Sequence, residues 1–540
     1  YNWTSPWKKG EGPGKFSLSV GGKKMTSPLG AEGSAWMWQI AGKVSVKNLK
    51  TVIKLHDLTG FDGRCDAIYF TTEVGKMPPS DVKELEAFRR QALGLPDEAP
   101  VAGEYDLVVV GAGIAGMSAA VSAARLGCRV ALINDRPVVG GNNSSEIRVH
   151  LGGRIEEGTY KELGGLQKEF GPEKGGNAQP AEYYEDQKKM DWLAGEKNVS
   201  LFLNFRAIGV TKEGDKITSV IVKHIESGKE LKFEAPLFSD CTGDGTIGYL
   251  AGADYRMGRE GRDEYGESIA PEKADKLTMG SSVQWYSVDN KKSSPFPEFG
   301  YGVEFNDKNC EKVMMGEWTW ETGMNFDQIK DFERIRDYGM LVVYSNWSYL
   351  KNRMKENDQY KNRKLGWVAY VAGKRESRRL MGDYILKEDD ITKNVSHEDA
   401  SFATTWSIDL HWQDPKNSEH FPGNEFKAVT KHILIHPYAV PYRCLYSRNV
   451  DNLFMAGRNI SVTHVALGTV RVMRTTGMMG EVVGMAASLC KKYDVTPRGV
   501  YRSHLEDLKT LMKEGVNKKG LPNNQRYNEG GMLKDKPVVQ

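Results

Sequence analysis

The sequence predicts an α/β fold: a parallel-sheet dinucleotide-binding domain, interrupted by an inserted α+β domain and preceded by β-sandwich material. Three observations carry this expectation. An apolar run, Leu107 to Val110, is followed by Gly111, Gly113 and Gly116 at G-x-G-x-x-G spacing, ahead of an alanine-rich helical stretch at 117–126. Residues from about 250 to 435 carry no such signature and hold seven of the chain's twelve tryptophans. Residues 1 to about 75 set Trp3, Trp7, Trp36 and Trp38 among glycines and short β-type runs.

The glycine stretch organises the rest. A short buried parallel strand leads into it. Gly111 permits a tight turn, Gly113 lets backbone approach a pyrophosphate, and Gly116 lets helix pack on strand. The N–H groups at the helix start, at Ile114 and Ala115, then meet the phosphate charge. A second apolar run at 129–133 ends at Asn134-Asp135, about 20 residues beyond the motif, where an acceptor for a ribose belongs. A glycine-rich turn in an ordinary α/β domain lacks that flanking strand, helix and second strand.

Composition bounds the function classes. At 540 residues the chain is long enough for several domains and a large core. Its net charge of +3, from 74 basic and 71 acidic residues, provides no global field for nucleic acid or an anionic membrane. Six scattered cysteines without a C-x-x-C argue against a metal knuckle and against a dithiol relay, and read as small buried hydrophobes; no metal site is expected. No run reaches the 18 or so apolar residues of a membrane span, and no signal peptide is visible. The chain begins at Tyr1 rather than Met, so a preceding segment is expected, and export to a periplasmic or extracellular compartment stays open.

Taken in order, the first 77 residues read as partial β-sandwich, with β-type runs at 44–46 and 51–55. The segment at 55–70 resembles the last strands of a jelly-roll domain appended to polysaccharide-degrading enzymes; an extension packed on the enzyme is the alternative. A linker at 78–103 holds a helix-prone stretch, 81–93, between proline-rich flanks. Residues 198–232 alternate as a β-meander with a turn at Glu213-Gly214-Asp215.

After the second strand comes Arg136-Pro137-Val138-Val139-Gly140-Gly141-Asn142-Asn143-Ser144-Ser145-Glu146-Ile147-Arg148-Val149-His150. Here the chain resembles the flavoprotein oxidoreductases of glutathione-reductase-type FAD fold, and more narrowly the FAD-dependent oxidoreductase family. The resemblance implies a Rossmann-like FAD-binding domain, with FAD as cofactor. It places Gly141, Asn142, Asn143 and Ser144 along the cofactor and Arg148 and His150 nearer the flavin ring. Relatives end the second strand with Glu or Asp; that position holds Asn134, with Asp135 and Arg136 next, so the ribose partner is open between neighbours. The resemblance further implies that the backbone of Ala207 meets the adenine, and that Gly243, Asp244 and Gly245 return backbone to the flavin.

The FAD fold resumes near 433–491. Asn452-Leu453-Phe454-Met455-Ala456-Gly457-Arg458-Asn459 matches the family's closing strand, placing Gly457 and Arg458 at the cofactor. A glycine-punctuated helix at 477–487 follows, and in relatives its N-terminus, here Gly477 and Met478, points at the flavin N1–C2 carbonyl. The expected organisation is thus 1–77 sandwich-like region, 78–103 linker, 104–250 FAD-binding domain, 251–435 inserted substrate domain, 436–492 closing part and 493–540 tail. Lys374-Arg375-Glu376-Ser377-Arg378-Arg379 resembles a family motif whose guanidinium groups anchor substrate or pair with Glu376 and the acidic Glu388-Asp389-Asp390.

With no dithiol and no second nucleotide domain in the sequence, the expected reaction is hydride transfer from a small-molecule substrate directly to flavin N5. His464 is the first candidate base, with His150 and His436 in reserve. Arg148 and Arg471 are candidates to hold an anionic substrate group or the reduced flavin. The tryptophans of the insert and the jelly-roll resemblance point to a carbohydrate hydroxyl. Redox-assisted glycan cleavage and a carbohydrate-binding protein with a non-catalytic FAD domain are the alternatives. Oligomeric state is not legible.

Overall fold

The computed structural model describes residues 14–30, 32 and 36–523. Two compact units divide the chain: Tyr1–Asp97 with Asn290–Lys312 and Leu341–Lys364, and Glu98–Asp289 with Val313–Met340 and Leu365–Gln540. The region expected as an insert therefore contributes two segments to the first unit.

In the first unit, Phe16–Val20 is the centre of a three-stranded antiparallel sheet between Lys23–Lys24 and Ile53–Asp57. Phe16, Leu18, Met25 and Leu29 form its small core. This is the β-sheet material expected at this end. Pairing with Phe16–Val20 moves the second strand to Ile53–Asp57, two residues beyond the expected run, while the run at 44–46 is irregular and joins no strand among the described residues. Trp3 and Trp7 lie outside the described residues. The expected linker helix is Val82–Ala92, started by the Asp81 carboxylate, which accepts the Lys83 and Glu84 amides at 2.9 and 3.1 Å.

The second unit is built on a five-stranded sheet in the order Leu453–Met455, Leu237–Asp240, Leu107–Val110, Val130–Asn134, Val199–Leu203. Every pairing in it is parallel. Its central strands are buried throughout, as their unbroken apolar runs require. Helix Ile114–Arg125 follows the first of them. Helix Met473–Tyr493 packs against that helix so closely that a side chain on Gly484 would come within 2.5 Å of the Ala119 carbonyl.

Two expectations are corrected here. Val199–Leu203 is not the first strand of the meander but the edge of the parallel sheet, paired with Val130–Asn134. The chain turns at Asn204, in left-handed backbone at φ 62°, and the meander proper is Phe205–Glu213, Lys216–His224 and Glu230–Glu234, with Val101–Glu104 at its edge. The closing helix begins at Met473 rather than Gly477. Its glycine spacing marks the face that packs on Ile114–Arg125, not the helix start.

Of the tryptophans, Trp285, Trp320 and Trp347 are buried, whereas Trp318, Trp367, Trp406 and Trp412 are half-buried. Cys128, Cys241, Cys444 and Cys490 are buried as expected; Cys65, by contrast, is exposed and Cys310 half-buried. Among the described residues no helix is long and apolar enough to cross a membrane.

Candidate functional site: a glycine trough and a buried histidine–glutamate pair

The trough begins where strand Leu107–Val110 ends. Gly111 takes φ 103°, and any side chain there would strike the Cys241 carbonyl oxygen of the neighbouring strand's loop. Only glycine satisfies both demands. A side chain on Gly113 would meet nothing nearer than the Gly141 Cα at 3.9 Å, so this position is open to a ligand. Among the described residues no side chain caps the helix at Gly113, leaving the first-turn amides, at Ile114 and Ala115, for an anion. Gly116 sits against the Gly111 carbonyl, where helix and strand meet. Gly113→Glu is therefore expected to leave the fold intact and weaken binding of a dinucleotide at least roughly tenfold, by placing a carboxylate against its diphosphate; titration of apoprotein with the cofactor checks it.

The 140–144 loop runs beside this turn. Gly140 bridges Gly113, its amide donating to the Ala112 carbonyl at 2.8 Å. Gly141 lies against the Gly113 Cα. Asn142 donates to the Lys374 carbonyl at 3.1 Å, and Asn143 to the Val149 carbonyl at 2.8 Å, while the buried Asn143 Oδ1 accepts no hydrogen bond among the described residues. Ser144 is buried, its carbonyl accepting the Arg148 amide. Lys189, fully buried, ties this loop down by donating to the Asn143 carbonyl at 2.6 Å. Burial lowers its pKa to about 8.

At the end of the second strand the structure separates two neighbours. Asn134 is buried and spends its amide internally: Oδ1 accepts the Ala112 amide at 3.1 Å, and Nδ2 donates to the Arg136 and Val138 carbonyls at 3.1 and 2.9 Å. Asp135 is exposed. Arg136 pairs with Glu146 at 2.9 Å. Ala207 is nearly buried in the first meander strand, opposite Val222, where the register shifts before Gly209.

Gly243 and Asp244 meet Arg458 just beyond the ends of two neighbouring strands. The Asp244 carboxylate accepts from Lys374 Nζ at 2.5 Å, Arg458 at 2.8 Å and Ser377 Oγ at 2.8 Å. Burial alone would raise its pKa, but the two cations hold it well below the usual carboxylate range. Arg458 Nε is buried and makes no hydrogen bond among the described residues. Gly477 and Met478 lie one turn inside the closing helix, Gly477 against Gln167 and Ile114, Met478 buried. The N-terminal end of that helix, at Val472, carries no side-chain cap among the described residues.

His464 opens the short helix His464–Val470, whose N-cap Thr463 accepts the Ala466 amide at 3.1 Å. Its Nδ1 lies 2.9 Å from Glu376 Oε2, and its amide donates to Glu260 at 2.8 Å. Glu376 is fully buried; desolvation raises its pKa, but His464 and then Arg379 overcome that and leave it below the ordinary value. Arg379, with no exposed surface, also pairs with Glu260 at 2.9 Å. The guanidinium groups of the 374–379 motif thus do not pair with the 388–390 acids. Arg375 takes Glu321 at 3.4 Å, Arg378 covers the Tyr249 ring at 3.8 Å, and Glu388 and Asp390 are occupied by Ser268 and Tyr384. Within the motif Arg379 does meet Glu376, at 3.5 Å, as expected, whereas the other acids that answer it, Glu260 and Glu321, lie far away in sequence.

The remaining candidates are placed as follows. His150 Nδ1 meets Asn177 Oδ1 at 2.9 Å, and burial lowers its pKa. Arg148, in left-handed backbone at φ 66°, donates to the Ser145 and Gln179 carbonyls and stacks over Trp367 at 3.8 Å, so it braces its own loop. Arg471 meets Asp409 and His411. His436 Nδ1 is buried with no partner among the described residues. No sequence signal singled out Glu260, Glu321, Asp409, His411 or Lys189.

A parallel sheet whose first loop ends on an uncapped helix, closed by a strand that brings Gly457 and Arg458 alongside, defines a dinucleotide-binding α/β protein. The chain belongs to the FAD dependent oxidoreductase family, whose model matches residues 106–512. It is an oxidoreductase and its cofactor is FAD. The open position at Gly113, the uncapped amides and the unpartnered Asn143 Oδ1 and Arg458 Nε fit that group.

Solved structures resemble it at low identity. A geranylgeranyl bacteriochlorophyll reductase-like protein from Thermoplasma acidophilum is 14% identical over 76% of this chain and 83% of that one, with a TM-score of 0.31. THI4 of Thermovibrio ammonificans is 17% identical over 35% and 80%, with a TM-score of 0.23. A glycerol-3-phosphate dehydrogenase from Bacillus halodurans, solved with FAD, is 12% identical over 36% of this chain and 41% of its own, with a TM-score of 0.25. No curated protein matches the chain.

Proposed function

We propose that this enzyme oxidises a hydroxyl group of a carbohydrate, on a glutathione-reductase-type FAD domain. The observation that carries the reading is the His464–Glu376 pair: a buried carboxylate on Nδ1 at 2.9 Å orients an imidazole and leaves Nε2 for a substrate proton. Bound FAD supplies the two-electron acceptor. The helix amides at Ile114 and Ala115 hold its diphosphate, with Asp135 as the ribose acceptor in place of the committed Asn134. Asn142, Lys374, Asp244 and Arg458 line the trough toward the reacting end. His464 takes the hydroxyl proton as the adjacent C–H is lost as hydride, and Glu376 stabilises the imidazolium that results. The half-buried Trp318, Trp367, Trp406 and Trp412 offer flat faces for sugar rings, and the jelly-roll resemblance at 55–70 supports the same substrate class.

The test is anaerobic mixing of FAD-loaded protein with a panel of mono- and oligosaccharides, following the oxidised flavin absorbance. Bleaching by a sugar, with a ketone or lactone as product, is the expected result. Flavin that stays oxidised across the panel, while simple alcohols or hydroxy acids bleach it, would remove the carbohydrate assignment.

A further inference from the structure

The helix His464–Val470 separates two histidine–glutamate pairs. His464 meets Glu376 at its start; beyond its end Arg471 meets His411, whose Nδ1 lies 2.6 Å from Glu321 Oε2. Consecutive amides serve both carboxylates: Met279 donates to Glu376 at 2.9 Å and Gly280 to Glu321 at 2.5 Å. Glu321 has no exposed surface, and although burial opposes its charge, the Arg375 guanidinium and the hydrogen bond from His411 hold its pKa below the ordinary carboxylate value.

The hydrogen-bond roles at His411 follow from its neighbours. Arg471 NH2 stands 3.0 Å from His411 Nε2 and 3.1 Å from both Asp409 Oδ2 and the Asp409 carbonyl. A guanidinium only donates, so Nε2 presents its lone pair and the single proton of the neutral ring sits on Nδ1, facing Glu321. A spare acceptor waits beside it. Asp409 Oδ1 is 3.4 Å from the same Nε2, buried, and accepts no hydrogen bond among the described residues. Arg471 in turn keeps a donor in hand, its buried Nε having no partner among the described residues.

We propose that His411 is a positioning residue: its neutral form holds Arg471 so that the guanidinium offers Nε–H to an acceptor oxygen of the bound substrate, and its protonation releases Arg471. In the charged ring an N–H would face the Arg471 donor, and it turns instead to Asp409 Oδ1. Glu321 and Asp409 face His411 as anions, Arg375 and Arg471 as cations. His432 stands 3.8 Å from Asp409 Oδ1, and the Trp318 ring lies 5.4 Å from the imidazole. Only the role given to substrate rests on the proposed reaction.

The first experiment is long-range proton–nitrogen NMR of FAD-loaded protein labelled with 15N-histidine, with His411→Gln assigning the signal. The neutral Nδ1–H pattern at about pH 7.5 is expected; an Nε2–H or imidazolium pattern there overturns the proposal. The second compares the variants by flavin bleaching with the sugar found active. Glutamine keeps a donor for Glu321 and an acceptor for Arg471 but does not titrate. Wild-type KM is expected to rise roughly tenfold toward acid pH with kcat little changed, His411→Gln to stay flat, and His411→Leu to be high throughout. An unchanged acid rise in His411→Gln, or a wild-type KM in His411→Leu, overturns it. If no sugar bleaches the flavin, the reaction reading fails while the NMR result still decides the role of His411.

Discussion

His464→Ala protein is expected to bind FAD at full stoichiometry and to lose roughly 10²–10⁴-fold in the rate of flavin reduction by substrate, the range a positioned general base supplies. Among the described residues its hydrogen bonds go to Glu376 and Glu260 rather than to the 111–116 or 140–144 loops. Binding and chemistry should therefore separate cleanly. Glu376→Gln is the sharper companion, since it keeps shape and removes the charge that stabilises an imidazolium. Stopped-flow bleaching across pH checks both. A His464→Ala enzyme that reduces its flavin at the wild-type rate would sink the assignment.

Arg379→Leu is expected to destabilise the second unit by about 3–5 kcal/mol, the usual cost of leaving buried charges uncompensated. The guanidinium has no exposed surface, bonds Glu260 at 2.9 Å and the Gly258 carbonyl at 2.6 Å, and stands 3.5 Å from Glu376. Removing it leaves two carboxylates side by side. The midpoint of urea denaturation should fall accordingly, and Glu260→Gln in the same chain should recover part of the loss. A midpoint within error of wild type would mean that those carboxylates are already neutral.

The dinucleotide half was legible because its signals are local. An unbroken apolar run before a glycine turn has few other structural meanings, and Leu107–Val110, Gly111 and helix Ile114–Arg125 lie where that pattern put them. What misled was pattern without a partner. Val199–Leu203 alternates much as a meander strand does, yet it joins the parallel sheet because Val130–Asn134 is the edge available to it. Gly480 and Gly484 recur at helical spacing for packing, so they gave no reading of where the helix starts. Asn134 reads as a ribose partner by position, and only the structure reveals its amide already committed to Ala112, Arg136 and Val138. Glu321, Asp409 and His411 were illegible, since their meaning lies in contacts across long stretches of chain.

The order in which the trough is assembled has a consequence during synthesis. Strand Leu237–Asp240 gains its outer neighbour only from Leu453–Met455, and Asn452 reaches back 235 residues to bond the Ile217 carbonyl. Until the ribosome has released that stretch, a nascent chain carries the glycine loop beside an unpaired sheet edge, a template for aggregation. Maturation of the flavoprotein is thus expected to be late and chaperone-dependent, and FAD supplied during translation should raise soluble yield only once residues beyond Arg458 have emerged.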